Sequence, residues 1–185
     1  MSNAKNGSPL RTFVAYVEDE PGVLNRIASL FRRRGYNIAS LNVGRTHEPG
    51  VSRLTMVVEA DAGAAMRMEA NLYKLVNVLS VEDITNRGAV VRDLALVKVR
   101  AVGDQRADVL QRADPFRARV VDVGDDSIVF ELTGTTEKIA EFTATMEPFG
   151  ILEMVQTGAI AMTRGAEGTA SVTAHSRPSV IPVAS

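Results

Sequence analysis

The sequence contains no cysteine, so disulfides, thiolate nucleophiles and cysteine-based metal sites are excluded. Zero cysteine also fits a reducing compartment. Histidine is almost as scarce. Of the two present, His47 falls in a loop and His175 near the carboxy end, and neither has the spaced partner donors that metal ligation needs. No apolar run approaches the roughly 20 residues that span a bilayer. The start lacks the basic and apolar regions of a signal peptide. No charge sign dominates either: 21 basic residues face 22 acidic ones. That balance gives no electrostatic reason to expect nucleic acid or an anionic membrane as partner. The expected location is the cytoplasm, or an organelle lumen after loss of a transit peptide.

Catalytic signatures are missing as well. None of G-x-x-x-x-G-K-[ST], G-x-G-x-x-G or G-x-S-x-G occurs, so phosphate cradles and nucleophile elbows lack support. Gly124-Asp125-Asp126 has a superficial likeness to a metal–diphosphate motif, but it has ordinary turn composition and no second ligand pair follows.

What is present is periodicity. Thr12–Val17 is rich in β-branched and aromatic residues and reads as a strand. Glu18-Asp19-Glu20-Pro21-Gly22 breaks it. From Val23 the period changes: Val23, Leu24, Ile27, Leu30 and Phe31 share one face of an amphipathic helix. Arg32-Arg33-Arg34 ends that helix, its charges suiting the negative dipole terminus, and Gly35 stands where a left-handed cap belongs. A role for these arginines in docking an acidic partner face is a second reading.

Residues 37–46 form a second strand with Ala39, Leu41 and Val43 alternating, and Ser52–Glu59 a third with Leu54, Met56 and Val58 on one face. The short loop between them predicts a hairpin. Asp61 caps a second helix expected to run to about Asn77, with Met68, Leu72, Leu75 and Val76 buried. Val78–Ile84 is a fourth strand.

The same order begins again after Gly88. Leu94–Val99 is a strand, Asp104–Asp114 a helix cut off before Pro115. Arg119–Val123 and Ser127–Leu132 form a hairpin. Thr135–Met146 is a helix with Ile139, Ala140 and Phe142 apolar, and Ile151–Thr157 a closing strand. The fold class is therefore α+β: two tandem βαββαβ ferredoxin-like domains, each an antiparallel sheet with both helices on one face. The uncovered sheet face needs a partner, and a second copy of the chain is the simplest. The expected boundaries are 1–10 for a disordered or tag-like start, 11–86 and 87–164 for the two domains, and 165–185 for a flexible tail.

The informative loop is Asp19–Gly22. It joins a strand directly to a helix, so the N–H groups of Gly22, Val23 and Leu24 point out of a helix N-terminus, a ready site for a carboxylate. Pro21 stiffens the turn, and Gly22 lets a ligand approach the backbone. Gly35-Tyr36-Asn37-Ile38 adds an amide at Asn37, able to donate and accept, and an apolar neighbour at Ile38. Together these suit an α-amino acid with a small aliphatic side chain. A plain turn and a helix stop account for the same residues equally well.

Glu18-Asp19-Glu20-Pro21-Gly22-Val23-Leu24, followed by Arg33-Arg34-Gly35-Tyr36-Asn37-Ile38-Ala39-Ser40-Leu41, resembles the pattern of acetolactate (acetohydroxyacid) synthase small subunits. The likeness continues through Ser52-Arg53-Leu54-Thr55, Leu72-Tyr73-Lys74-Leu75-Val76 and Val91–Val99, and ends near Thr163-Arg164-Gly165. The resemblance implies that the first domain is an effector-binding ACT domain. It implies a regulatory subunit without chemistry or cofactor of its own. Its large catalytic partner would carry thiamine diphosphate, Mg²⁺ and FAD, and the small subunit would raise that partner's activity and confer valine feedback inhibition. It further implies a homodimer through the ACT domain. The effector site would take Asp19, Gly22, Val23 and Leu24 from one chain and Asn37 and Ile38 from the other. Many members have Asn at the position of Asp19; a carboxylate there favours a ligand's ammonium group and repels its carboxylate. The alternative from another class is a stand-alone ACT-domain regulator of gene expression. It would need a DNA-reading element, and neither a helix-turn-helix pattern nor a basic stretch of that kind is found.

Overall fold

The computed structural model describes residues 9–165. The first eight residues, His175 and all but the first residue of the expected tail lie outside the described residues. The chain divides into two compact units, the first dominated by residues up to Gly88 and the second by Ala89–Met162.

In the first unit β1 (Leu10–Glu18), α1 (Val23–Arg34), β2 (Ile38–Arg45), β3 (Val51–Glu59), α2 (Ala62–Leu72) and β4 (Val78–Asp83) follow the expected order. The sheet runs β2-β3-β1-β4. Its central strand β1 pairs antiparallel with both β3 and β4. Strand alternation directs Phe13, Ala15 and Val17 of β1 and Leu54, Met56 and Val58 of β3 into one core. Val23, Ile27, Leu30 and Phe31 of α1 and Ala65, Met68 and Leu72 of α2 close that core. The end of α1 is a Schellman motif. Gly35 at φ +69° donates to the Arg32 carbonyl at 3.2 Å, and Tyr36 N–H to the Phe31 carbonyl at 3.1 Å. The rings of Phe31 and Tyr36 meet edge to face at 6.0 Å, supplying the hydrophobic contact that accompanies such caps.

Four local expectations are corrected. Leu24 is 46% exposed and leaves the buried stripe of α1; at one residue past Val23 it is turned about 100° around the helix. In β2 the period is right but the side is reversed. Ala39, Leu41 and Val43 are exposed, whereas Ile38 packs against the core. α2 stops at Leu72 rather than near Asn77, because the chain turns through Tyr73–Asn77 to reach β4, leaving Val76 73% exposed. Asp61 does cap it, its carboxylate accepting from Ala64 N–H at 2.7 Å.

The second unit repeats the plan with β5 (Ala89–Arg100), α3 (Gln105–Ala113), β6 (Arg119–Val123), β7 (Ser127–Gly134), α4 (Thr136–Met146) and β8 (Ile151–Gln156), in the order β6-β7-β5-β8. A further strand, β9 (Ile160–Thr163), pairs with β5 and has no counterpart in the expected repeat. Pro115 sits inside a 3-10 turn, Asp114–Phe116, that continues α3. Ile139 and Phe142 of α4 are buried as expected, but Ala140 is exposed. Gly124-Asp125-Asp126 lies in the hairpin between β6 and β7, where the Gly124 N–H donates to the Ser127 carbonyl at 2.9 Å. The turn reading of that motif therefore stands.

Candidate functional site

Pro21 and Gly22 occupy the two central positions of the turn Glu20–Val23. Gly22 has φ +86° and ψ −5°, the values a type II turn requires at its third residue, where glycine is favoured. Val23 N–H donates to the Glu20 carbonyl at 3.4 Å, and the first helical bond is Arg26 N–H to the Gly22 carbonyl at 3.0 Å. The N–H groups of Gly22, Leu24 and Asn25 have no preceding helical carbonyl to bind. No side chain caps them. A Cβ placed on Gly22 meets no atom within 4 Å, so the space over the turn is open. The α1 dipole adds partial positive charge at this end.

The six predicted site residues behave differently from one another. Val23 has its side chain in the core and offers only backbone. Leu24, by its exposure, presents an apolar surface beside the turn. Asp19 is not an isolated carboxylate. Arg45 Nε lies 3.2 Å from its Oδ2, and Ser52 Oγ donates to its Oδ1 at 3.2 Å. These two residues were not identified from the sequence. Their signal is the topology: the end of β2 and the start of β3 must return to the end of β1. Arg45 offsets the charge of that carboxylate.

Asn37 and Ile38 lie elsewhere. Asn37 Nδ2 donates to Glu59 Oε1 at 3.2 Å, and Glu59 N–H to the Asn37 carbonyl at 3.3 Å. Glu59 stands opposite Leu10 at the start of β1, whereas Val51 stands opposite Glu18 at its end. The two halves of the site are thus separated by the length of the sheet, about 26 Å at about 3.3 Å per residue. Within one chain they do not meet. Ile38, moreover, packs partly against its own core.

Among the described residues no group of three or more His, Asp or Glu side chains is arranged to hold a metal ion. No helix among them is long and apolar enough to cross a membrane.

Two family models match the chain: an acetohydroxyacid synthase small-subunit-like ACT domain over residues 13–80, and the small subunit of acetolactate synthase over residues 92–165. The acetolactate synthase small subunit of Mycolicibacterium smegmatis is 42% identical over 163 residues, covering 88% of this chain and 96% of that one. The chain belongs to the acetolactate synthase small-subunit family. Its relative from Mycobacterium leprae is 43% identical over 166 residues, covering 90% of this chain and 98% of its own. Among solved structures, the small subunit from Thermotoga maritima superposes with a TM-score of 0.79 at 32% identity, covering 85% of this chain and 98% of that one. The tandem ferredoxin-like architecture with an amino-terminal ACT domain is therefore the family's, and membership ties the chain to branched-chain amino acid biosynthesis.

Proposed function

We propose that the chain is the non-catalytic regulatory subunit of acetolactate synthase. It binds the large catalytic subunit, raises its activity and makes it sensitive to valine, while thiamine diphosphate, Mg²⁺ and FAD stay on the large subunit. One observation carries the effector part: an uncapped, sterically open helix N-terminus at Gly22, at one end of an edge strand whose other end carries Asn37. β2 is the last strand on its side of the sheet order, and β2 and β1 run in the same direction. Pairing β2 antiparallel with its copy would bring Ile38 of one chain beside Arg45 of the other. Asn37 then stands next to the second chain's Asp19–Leu24 turn. An isologous pair of this kind makes two equivalent sites.

In such a site the Gly22 and Leu24 N–H groups receive the valine carboxylate, and Asp19 receives the ammonium group. Asn37 bridges the two, and Leu24 contacts the aliphatic part. Valine then favours the paired arrangement, and the preference is transmitted to the catalytic subunit. A coupling of about 1–3 kcal/mol gives an effect of about five- to 150-fold.

The test uses the full chain with its cognate catalytic subunit. Gly22→Asp fills the open space and repels the carboxylate; Asp is among the residues that tolerate a left-handed backbone. Activation should survive and valine inhibition should vanish. Mixing Gly22→Asp with Asn37→Ala chains should restore inhibition through the one intact site of each mixed dimer. A Gly22→Asp chain that stays fully valine-sensitive overturns the site.

A further inference from the structure

The helices of the first unit carry an uneven charge. α1 holds four arginines and no acidic residue, and α2 adds Arg67 against Glu69. In the second unit α3 and α4 balance, with Arg106, Arg112 and Lys138 set against Asp108, Glu137 and Glu141. On a chain of net charge −1 the positive charge is therefore segregated.

It is also ordered. Arg26 and Arg33, seven residues apart, fall within about 20° of each other at about 3.6 residues per turn. Arg34, turned about 100° from Arg33 around the helix, reaches α2: its guanidinium donates to Asn71 Oδ1 at 3.3 Å. Asn71 Nδ2 in turn donates to the Arg67 carbonyl at 2.7 Å, and Arg67, one turn earlier, lies on the α2 flank that faces α1. Arg26 binds Asn77 Oδ1, and Asn77 Nδ2 donates to Glu18 Oε2 at 2.6 Å. Arg26, Arg33, Arg34 and Arg67 thus line the outer seam between α1 and α2. Glu18 is the carboxylate at one end of it. Glu69 is turned to the opposite flank, toward Asp83 and Glu82. Arg33 and Arg67 are exposed, and among the described residues neither forms an ion pair.

The helix dipole accounts for arginines in the last turn of α1. It does not account for Arg26 in the first turn, where a cation is disfavoured, or for Arg67 within α2. Holding four guanidinium groups along one seam costs mutual repulsion that a facing acidic surface relieves.

We propose that this seam is a docking surface for an acidic face of the catalytic subunit. The assignment rests on the reading of the chain as a regulatory subunit. None of the seam's four arginines is among the proposed effector-site residues, so docking and effector binding can be perturbed by different substitutions.

Charge reversal of the two unpaired members, Arg33→Glu with Arg67→Glu, tests it in the full chain, with Arg33→Lys plus Arg67→Lys as the charge-conserving pair. The dissociation constant for the cognate catalytic subunit is measured by titration at 50 and 300 mM salt, and valine binding to the chain alone by calorimetry. The Glu pair should weaken subunit association at least about tenfold at low salt and flatten its salt dependence. Valine binding should be unchanged, and the Lys pair should associate like the wild type. Unchanged association of a Glu pair that still binds valine overturns the docking surface and leaves the regulatory reading standing. Failure of the wild type to associate at either salt overturns both. If the Glu pair instead loses affinity for a DNA duplex while subunit association holds, the seam reads nucleic acid and the proposal fails.

Discussion

The two units share one topology and treat the same turn in opposite ways. In the first, the passage from β1 to α1 ends in an open type II turn whose N–H groups nothing caps. In the second, α3 has no side-chain cap either, but the Gln105 and Arg106 N–H groups donate to the Val102 and Gly103 carbonyls at 3.2 Å. The Arg106 side chain braces the corresponding passage from β5 to α3. Its guanidinium donates to the carbonyls of Gly124 at 2.6 Å and Asp125 at 2.9 Å, with Ala101 at 3.5 Å. One side chain thereby ties the helix start to the β6–β7 hairpin. One fold position thus serves as an open turn in the first unit and as a structural joint in the second.

The contrast extends to the cores. The second unit stacks Phe116, Phe142 and Phe130 edge to face at 5.4 and 5.6 Å, whereas α1 makes its aromatic contact at its end. Phe142→Ala should have the largest effect. It empties a fully buried position with two aromatic neighbours, at a cost of about 3–5 kcal/mol. Denaturant unfolding of the full chain checks this; a loss below about 1 kcal/mol would mean that the aromatic cluster does not organise the unit. Arg106→Ala comes next. It strips charge-assisted bonds from two hairpin carbonyls, and about 1–3 kcal/mol should follow. Amide exchange should show the β6–β7 hairpin opening first. If the variant instead gains measurable valine binding at the second turn, the two turns differ by Arg106 alone and the comparison narrows to that residue.

Much of this was readable in the chain. The βαββαβ order follows from the switch between periods of 2 and 3.6, and the Schellman cap from Gly35 after three arginines. Pro21-Gly22 spells out its own turn type. What stayed hidden depends on the third dimension. Alternation along β2 gives a period but not a side, and it is Ile38 rather than Leu41 that faces the core. Arg45 and Ser52 became partners of Asp19 only once the hairpin was folded back along β1. β9 is four residues long after Gly158, too short for a periodic signal. That Asn37 and Gly22 lie at opposite ends of one sheet follows from register, which a single sequence does not print.

The smallest effect concerns charge, and again the units diverge. The second unit places Lys98–Glu153 and Arg119–Glu131 in solvent, where screening leaves little for stability. The first gathers Glu69, Glu82 and Asp83 where α2 packs against β4. Burial, then Asp83 and Glu82, push the Glu69 carboxyl above its ordinary value. Asp83 moves the other way. Burial pushes it up, but the Thr85 hydroxyl and N–H and the Arg11 guanidinium, 2.6 Å away, outweigh that and hold it low. Asp83 therefore stabilises the fold above the ordinary aspartate range, and this contribution is lost as pH falls through its lowered value. Glu69 has the opposite sign: once ionised it disfavours the folded state, so Glu69→Gln should be the more stable protein at pH 7. The gain should stay under about 1 kcal/mol, because the carboxylate is only partly buried and solvent screens it. It should vanish below about pH 4, where protonated Glu69 is as neutral as Gln. Melting temperatures of the two proteins between pH 3 and 8 decide the matter. Curves that run parallel across that range would remove the acidic cluster from the list of differences between the units.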